Sequence, residues 1–165
     1  MSSKIAIYPG TFDPINYGQL DIIKRSSNLF DKLIISISNN PNKKPLFSID
    51  DRINMIKNEI STLDDTNLNK LSVKSFKGLL TNFAKQNHAS FIIRGLRAVS
   101  DFEYEFQMTG MNHNLDKNID TIFLMSSEKN SFISSNIVKE VHKLGGDVSN
   151  YVSRFVINYL DKNNI

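Results

Sequence analysis

The hydrophobic positions along the chain alternate between short continuous runs and stripes at helical spacing. Short runs of largely apolar residues, typical of buried parallel strands, begin at Ile5 and recur at residues 33–37, 91–93 and 121–125, and LSVKSF at residues 71–76 is a further predicted strand. A segment with helical periodicity follows each run. Five strands that alternate with helices predict an α/β fold built on an open, doubly wound parallel sheet.

The predicted helices are recognised by apolar residues three or four positions apart. The clearest example has isoleucines at 49, 53, 56 and 60 and follows Ser48, a predicted N-cap. Gly145 is placed to end a helix at residues 137–144. The remaining stripes lie at residues 20–30, 79–84, 99–110 and 152–160, so the chain is expected to finish in C-terminal helices.

Composition indicates one ordinary globular domain, residues 1–165, of which 40% are hydrophobic and 22% charged. The lack of cysteine excludes disulfides, thiolate metal sites and cysteine nucleophiles. The sequence has no signal-peptide pattern and no apolar run of about 18 residues, so we expect a cytoplasmic protein with no membrane partner. The net charge of +3 comes without a dense run of Lys and Arg, which makes nucleic acid the weakest of the partner hypotheses.

The segment 5–21 predicts a strand, a polar loop and the start of a helix. Gly10 and Gly18 would let the backbone turn tightly and approach a ligand closely. The helix start offers unpaired N–H groups and the positive end of the helix dipole, which suit a phosphate. A plain connector explains the glycines equally well, so this loop alone does not assign a function.

Further loops are expected at the same edge of the sheet, because ligands of open α/β sheets bind beyond the carboxyl ends of the strands. The predicted loops are residues 10–12, 42–44, 94–97 and 126–135. Lys or Arg occurs in three of them, and the last leads into a helix that starts near Ser134. Cations from separate loops that face two helix starts predict a pocket for more than one phosphate.

Four segments in this order resemble phosphopantetheine adenylyltransferase, an enzyme of coenzyme A biosynthesis. They are YPGTFDPINYGQLDII (8–23), NPNKKPLF (40–47), IIRGLRAVSDFEYE (92–105) and SFISSNIVKEV (131–141). The resemblance implies a Rossmann-like fold and direct transfer of AMP from MgATP to 4′-phosphopantetheine, which yields dephospho-CoA and pyrophosphate without a covalent enzyme intermediate. It also implies Mg²⁺ as the cofactor and a homohexamer as the usual assembly.

The resemblance implies an acceptor site made of residues at matching positions. Thr11 corresponds to the family threonine that touches both the nucleotide and the acceptor phosphate, since a hydroxyl can donate and accept. Lys43 and Arg94 correspond to residues that hold the acceptor, where cations reduce the repulsion between two anionic substrates. Leu80 corresponds to a position whose backbone touches the pantetheine arm. The alternatives are a turn cap for Thr11, a solvated lysine for Lys43 and core packing for Leu80.

An ATP site is implied in the same way, drawn from four parts of the chain. Glu105 corresponds to an acidic residue near the adenosine, although a helix-surface charge is the alternative. Residues 130–136 correspond to a loop and helix start that close on the phosphates, with simple N-capping as the alternative for the serines. The implied ATP contacts are Thr11, Phe12, Gln19, Gly95, Leu96, Arg97, Glu105, Asn130, Ser131, Phe132, Ile133, Ser134, Ser135 and Asn136.

One position departs from the family pattern. The superfamily signature (H/T)xGH ends in a histidine that binds the nucleotide phosphates and stabilises the transition state, whereas residues 16–19 here read NYGQ. Gln19 keeps a hydrogen-bond donor of similar reach but cannot carry positive charge. Loss of a transition-state donor costs about 3–4 kcal/mol, and replacement by a weaker donor should cost less. A slow enzyme, a natural variant with compensating changes and a deliberately altered sequence all stay open.

Two rival functions also stay open. A protein that binds ATP and CoA but does little chemistry would result if Gln19 removes catalysis. An enzyme of the same superfamily with another acceptor, such as a cytidylyltransferase, is disfavoured by the segments 92–105 and 131–141. Feedback by CoA is a further hypothesis, and the sequence identifies no protein ligands of Mg²⁺.

Overall fold

Five parallel strands form the centre of the fold in a computed structural model that describes residues 3–63 and 68–163. The strands are β1 (Ile5–Gly10), β2 (Lys32–Ser38), β3 (Leu71–Phe76), β4 (Phe91–Leu96) and β5 (Asp120–Met125). Their order in the sheet is β3-β2-β1-β4-β5, so the chain runs outward from β1 and then crosses back to β4. The predicted doubly wound sheet is confirmed, and its order reverses between β1 and β4.

Helices connect and flank the strands. They are α1 (Tyr17–Ser27), α2 (Ile49–Ser61), α3 (Leu80–Gln86), α4 (Val99–Leu115), α5 (Ser135–Lys143) and α6 (Arg154–Lys162). Gly145 follows the end of α5 with a positive φ of 81°, as its predicted role requires. Within residues 3–63 and 68–163, no helix combines the length and the apolar character needed to cross a membrane.

The core lies on both faces of the sheet because alternate residues of a strand point in opposite directions. On one face Ile35 and Ile93 pack with residues of α1, α2, α5 and α6. On the other face Ile34 and Ile92 pack with residues of α3. A strand buried on both faces needs a continuous apolar run, which is why the LIISI segment of β2 stands out in the sequence.

Two predicted strand ends are wrong, and strand pairing explains both. β1 continues through Pro9 and Gly10, which pair with Ser36 and Ile37 of β2. β4 continues through Leu96, which pairs with Met125 of β5. Arg94 and Gly95 therefore lie within a strand rather than in the loop that the sequence predicted. Their backbone pairs with Phe123 and Leu124 of β5, which holds this edge of the site in place.

Helix α4 differs most from its pattern. It lies against α3, β4 and β5, yet Phe106 is 63% exposed and Met111 58% exposed. The apolar stripe at residues 99–110 therefore includes side chains that are exposed to solvent and do not pack into the core of this chain. The side chain of Val99, part of that predicted stripe, lies outside the described part of the protein.

Candidate active site

An open cleft of about 720 Å³ lies where the carboxyl ends of β1 and β4 meet, at the point of strand-order reversal. The loop 11–16, the starts of α1 and α5, the first turns of α4 and the segment that carries Lys43 form its walls. The cleft brings together the predicted site residues Thr11, Phe12, Gln19, Lys43, Arg94, Gly95, Arg97, Glu105, Asn130, Ile133, Ser134, Ser135 and Asn136.

The loop after β1 is shaped by an aromatic residue in an unusual backbone conformation. Phe12 has a positive φ of 49° and is only 1% exposed. Its ring packs edge-on against Tyr8, with 5.5 Å between ring centroids. Gly10 makes this packing feasible, since a Cβ there would lie 2.8 Å from the Phe12 ring. Strain held in this way is frequent at functional sites, and it presents Thr11 to the cleft.

A tyrosine forms part of the cleft floor beside the arginines. Tyr8 lines the cleft, although its side chain is almost wholly buried. Burial raises the pKa of the Tyr8 hydroxyl, against the opposing influence of Arg94 and Arg97. The hydroxyl therefore stays protonated at neutral pH and can donate a hydrogen bond to a ligand.

Gln19 occupies the third position of α1 and completes a capping box. Its backbone N–H donates to Asn16 Oδ1 at 3.0 Å, while its side-chain Oε1 accepts from the backbone N–H of Asn16 at 3.2 Å. The oxygen of the amide is thereby committed to the helix start, and Nε2 is left without an acceptor among the described residues. Gln19 lines the cleft, so this donor is available to a ligand there.

Arg94 is held by a carboxylate rather than left free for a phosphate. Its Nε donates to Glu105 Oε2 at 2.7 Å, a second bond joins Nη2 to Oε1, and Nη1 donates to the Pro9 carbonyl. Burial disfavours the charge of Arg94, but the hydrogen bonds and charge of Glu105 outweigh it and raise the pKa. The pair is a fork-to-fork contact of the kind that fixes an arginine in one orientation.

Arg97 points into the cleft from beyond the end of β4 and is paired more loosely. Its Nε lies 3.2 Å from Asp101 Oδ2, and its Nη1 donates to the Ile133 carbonyl at 3.4 Å. Both side chains of the pair are partly exposed, so water screens the attraction. Arg97 can therefore be drawn to a phosphate at small cost.

The start of α5 is tied to the loop after β1. Ser134 is the N-cap, and its hydroxyl accepts from the Ile137 N–H at 3.2 Å. Ser135 Oγ donates to the Pro14 carbonyl at 2.7 Å and accepts from Asn16 Nδ2 at 3.2 Å. Ser134 therefore caps α5, as its predicted alternative role requires. Because this cap lines the cleft, Ser134 can cap the helix and also contact a ligand.

Four predicted site residues do not line the cleft. Leu96 is buried at the end of β4, and Ser131 Oγ donates to the Glu128 carbonyl. Phe132 is 84% exposed on the loop before α5. Leu80 packs against the apolar cluster on the α3 side of the sheet, as its core-packing alternative requires. Contacts of these residues with a ligand stay predictions.

The charges of the cleft nearly cancel. Its lining includes the cations Lys43, Arg94, Arg97 and Lys139 and the carboxylates Asp13, Asp101 and Glu105. Each carboxylate forms an ion pair with one cation, and within the described residues Lys43 has no ion pair. A strongly anionic ligand can therefore bind Lys43 directly, whereas it must compete with a carboxylate for Arg94, Arg97 or Lys139.

Comparison with known proteins identifies the family. A family profile described as Cytidylyltransferase-like matches residues 7–141. A phosphopantetheine adenylyltransferase of Wolbachia pipientis subsp. Culex pipiens is 56% identical over 156 residues, which cover 94% of this chain and 90% of the relative. That of Acidiphilium cryptum is 50% identical over 153 residues, which cover 93% and 90%. The chain belongs to the phosphopantetheine adenylyltransferase family.

Solved structures confirm the Rossmann-like fold of this phosphopantetheine adenylyltransferase family member. A Plasmodium falciparum nicotinic acid mononucleotide adenylyltransferase complexed with APC superposes with a TM-score of 0.76 over 99% of this chain and 97% of that one, at 18% identity. A Francisella tularensis bifunctional NMN adenylyltransferase/ADP ribose pyrophosphatase gives 0.69 over 98% of this chain and 49% of that one, at 20% identity. At such identities the likeness shows the fold alone.

Sequence reasoning missed three charged residues of the cleft, Asp13, Asp101 and Lys139. Asp13 and Lys139 form an ion pair with 2.7 Å between Nζ and Oδ2. Both lie inside segments that carry the phosphopantetheine adenylyltransferase resemblance, TFDP and VKE. The signal that could have found Lys139 is its place one helical turn after Ser135, on the face of α5 that starts at the cleft.

Proposed function

We infer that this protein transfers AMP from ATP to 4′-phosphopantetheine, which yields dephospho-CoA and pyrophosphate. The names of relatives that are 50% and 56% identical over 90% of their own length are the observation that carries this inference. The cleft supports it, because cations and two helix starts surround one space that is large enough for two phosphorylated substrates.

The reaction needs positioning and charge stabilisation rather than a protein nucleophile. An oxygen of the 4′-phosphate attacks the α-phosphorus of ATP in line, the bond to the oxygen that bridges to the β-phosphate breaks, and pyrophosphate leaves. Thr11 and Lys43 would hold the acceptor phosphate, and Arg94 would border it from the end of β4. Arg97 and the start of α5 would hold the nucleotide.

Gln19 stands where negative charge must be accommodated in this reaction. Its Nε2 would donate a neutral hydrogen bond to an oxygen of the α- or β-phosphate, while Asn16 fixes the amide oxygen. A neutral donor stabilises a developing charge about half as well as a cationic one. Slow turnover is therefore the expected consequence, not loss of substrate binding.

Mg²⁺ would enter as part of the substrate MgATP. Among the described residues no group of three or more His, Asp or Glu side chains is arranged to hold a metal ion. Each cleft carboxylate is already paired with a cation. Phosphate oxygens and water, which Mg²⁺ prefers to keep, would supply the coordination instead.

We propose that CoA competes with 4′-phosphopantetheine for the acceptor site, because CoA contains the phosphopantetheine group. We also propose that the protein works in the cytoplasm.

A homohexamer is proposed as the working assembly, and helix α4 supports self-association. Six of its large apolar side chains are at least 40% exposed, and exposed apolar side chains gathered on one element are typical of an interaction site. The six are Phe102, Tyr104, Phe106, Met108, Met111 and Leu115. Sedimentation velocity tests the proposal: Phe106→Glu should lower the mass of the assembly, whereas Leu29→Glu, at an apolar position outside α4 that is also more than half exposed, should not. An assembly unchanged by Phe106→Glu, or a monomeric parent protein, would contradict it.

A pyrophosphate-release assay tests the proposed reaction. ATP with 4′-phosphopantetheine should release pyrophosphate and form dephospho-CoA, detected by mass. Nicotinic acid mononucleotide as the acceptor and CTP as the nucleotide should both give far less product. Preference for either of them would assign the chain to another reaction of the same fold.

A binding protein with little activity is the second candidate, and the neutral donor at Gln19 favours it. Calorimetry with ATP and with CoA separates the two. Heat with both ligands but no pyrophosphate would select the binding protein, and no heat with either at millimolar concentration would reject both candidates.

A further inference from the structure

One buried carboxylate joins three walls of the cleft. Asp13 lies on the loop after β1, and only 4% of the residue is exposed. Its Oδ1 accepts from the Phe47 N–H at 2.9 Å, and its Oδ2 accepts from the Leu46 N–H at 2.9 Å. Lys139 of α5 donates to the same Oδ2 at 2.7 Å. The loop after β1, the segment after β2 and helix α5 thus meet at a single side chain.

A second buried charge joins two of the same walls. Arg52 of α2 is 2% exposed, and its Nη1 donates to the Thr11 carbonyl at 2.9 Å and to the Ser38 carbonyl at 3.3 Å. Burial lowers the pKa of Arg52, and the charge of Asp13 opposes that change. Two buried charges therefore hold the loop after β1 in place. Arg52 donates to the loop and to the end of β2, and Asp13 of the loop accepts from the segment after β2.

These ties fix residues that the proposed reaction uses. Leu46 lies three residues after Lys43, in a turn where Lys44 has a positive φ of 42°. Anchoring the backbone at Leu46 and Phe47 therefore limits where Lys43 can stand. Lys139 lies one helical turn after Ser135, so its bond to Asp13 limits where the start of α5 can stand.

We propose that Asp13 is a positioning residue, which sets the separation between the Lys43 wall and the α5 wall of the cleft for two bound substrates. The proposal rests on the proposed adenylyl transfer. Asp13 need not touch either substrate. Its backbone bonds would act on the acceptor side through Lys43, and its bond to Lys139 would act on the nucleotide side through the start of α5.

Substitutions at Asp13 and Lys139 separate the effect on the acceptor side from the effect on the nucleotide side. Asp13→Asn places an amide N–H where one loop N–H and Lys139 now donate, so it weakens both ties. We expect the KM for 4′-phosphopantetheine to rise about ten- to a hundredfold and the KM for ATP about tenfold, since small misplacement of a binding group has effects of this size. Lys139→Met leaves both backbone bonds intact. It should raise the KM for ATP about tenfold and change the KM for the acceptor little. Lys139→Arg keeps a cationic donor, so it should return the KM for ATP most of the way to the value of the parent protein.

Matched controls distinguish positioning from general loss of stability. Glu59→Gln makes the same kind of change at a carboxylate that is also 4% exposed but does not line the cleft. Lys143→Met removes an exposed lysine one turn beyond Lys139 on the same helix. Both should leave the two KM values within about twofold of the parent protein. Thermal melting of every variant reports whether it is folded under assay conditions.

The outcomes are separable. A folded Asp13→Asn protein with both KM values unchanged overturns the positioning proposal, as does an equal rise of both KM values in Lys139→Met. If Asp13→Asn does not fold, Lys139→Met decides alone, because it keeps the backbone ties. A parent protein that binds and turns over neither substrate overturns the adenylyl transfer itself, and the positioning role with it.

Discussion

Glu105 holds Arg94 with two hydrogen bonds, one from Nε at 2.7 Å and one from Nη2. The two residues lie 11 positions apart, on α4 and β4. The resemblance assigns Arg94 to the acceptor and Glu105 to the adenosine, yet the structure makes them one unit. A carboxylate that neutralises a phosphate-binding arginine lowers its pull on anions and fixes where its guanidinium lies.

Glu105→Gln should therefore affect the acceptor rather than ATP. The amide cannot pair with both donors of Arg94, so the arginine loses its fixed orientation. We expect the KM for 4′-phosphopantetheine to change severalfold and the free energy of unfolding to fall by about 1–3 kcal/mol, because a partly buried charge loses its partner. Steady-state kinetics and urea unfolding measure the two effects. A change confined to the KM for ATP would instead place Glu105 at the adenosine.

The two arginines near the end of β4 should separate in kinetics. Arg94→Ala should mainly raise the KM for the acceptor, and Arg97→Ala should mainly raise the KM for ATP. The structure gives them different partners, since Arg94 is bound by Glu105 and Arg97 by Asp101 and the Ile133 carbonyl. Equal effects of both substitutions on both KM values would mean that the arginines act as one shared positive surface.

Glu59 should make the free energy of unfolding depend on pH above the ordinary pKa of a glutamate. Burial raises the pKa of Glu59, while the hydrogen bond from Ser153 opposes that rise. The folded state then holds its proton more tightly than the unfolded state. The free energy of unfolding therefore falls as the pH rises from the unfolded pKa of 4.5 through the folded pKa. Above the folded pKa the loss is complete, and it amounts to about 1.4 kcal/mol for each pH unit that separates the two pKa values.

Glu59→Gln removes this titration while keeping an oxygen for Ser153. The variant should be more stable than the parent protein at pH 8 and should lose that advantage near pH 4. Urea unfolding at a series of pH values measures the difference. A variant that is less stable at every pH would show that the ionised carboxylate is favourable in the fold.

The sheet was predictable because its central strands β1 and β2 are buried on both faces. The branched run at residues 33–37 of β2 has a single polar residue, the buried Ser36, so it lacks the polar face of a surface helix. The alternation of elements then leaves few topologies. The exposure of α4 was not predictable. Phe106 has the spacing of a core residue, and a pattern does not distinguish a face that covers this chain from one that covers a partner.

The gathering of the cleft loops was predictable from one rule, that parallel strands present their carboxyl ends at one edge. The pairing within the cleft was not. Asp13 and Lys139 lie 126 residues apart, and only the packing of α5 against the loop after β1 brings them together. A local contact was missed as well. Residues 16–19 were compared only with the superfamily signature, so the capping box that Asn16 and Gln19 form was not predicted.

Gln19→His should raise kcat at a cost in stability. The side chain at position 19 lines the cleft beside the start of α1, where negative charge must be accommodated in the transition state. A histidine donor can be cationic, and we expect about ten- to a hundredfold in kcat with little change in KM, which corresponds to about 1–3 kcal/mol. The bond from the Asn16 N–H to Gln19 Oε1 is lost, so the free energy of unfolding should fall by about 0.5–1 kcal/mol.

Gln19→Glu is the matched control and should move both quantities the other way. A carboxylate keeps the capping box and suits the positive end of the helix dipole, so stability should rise by about 0.3–1 kcal/mol. The same charge faces the phosphates of ATP, so kcat should fall at least about tenfold. Kinetics with both substrates varied, together with urea unfolding, measure the pair. A Gln19→His protein with unchanged or lower kcat would show that the surrounding cleft is adapted to glutamine and that the amide stabilises the transition state as well as histidine does.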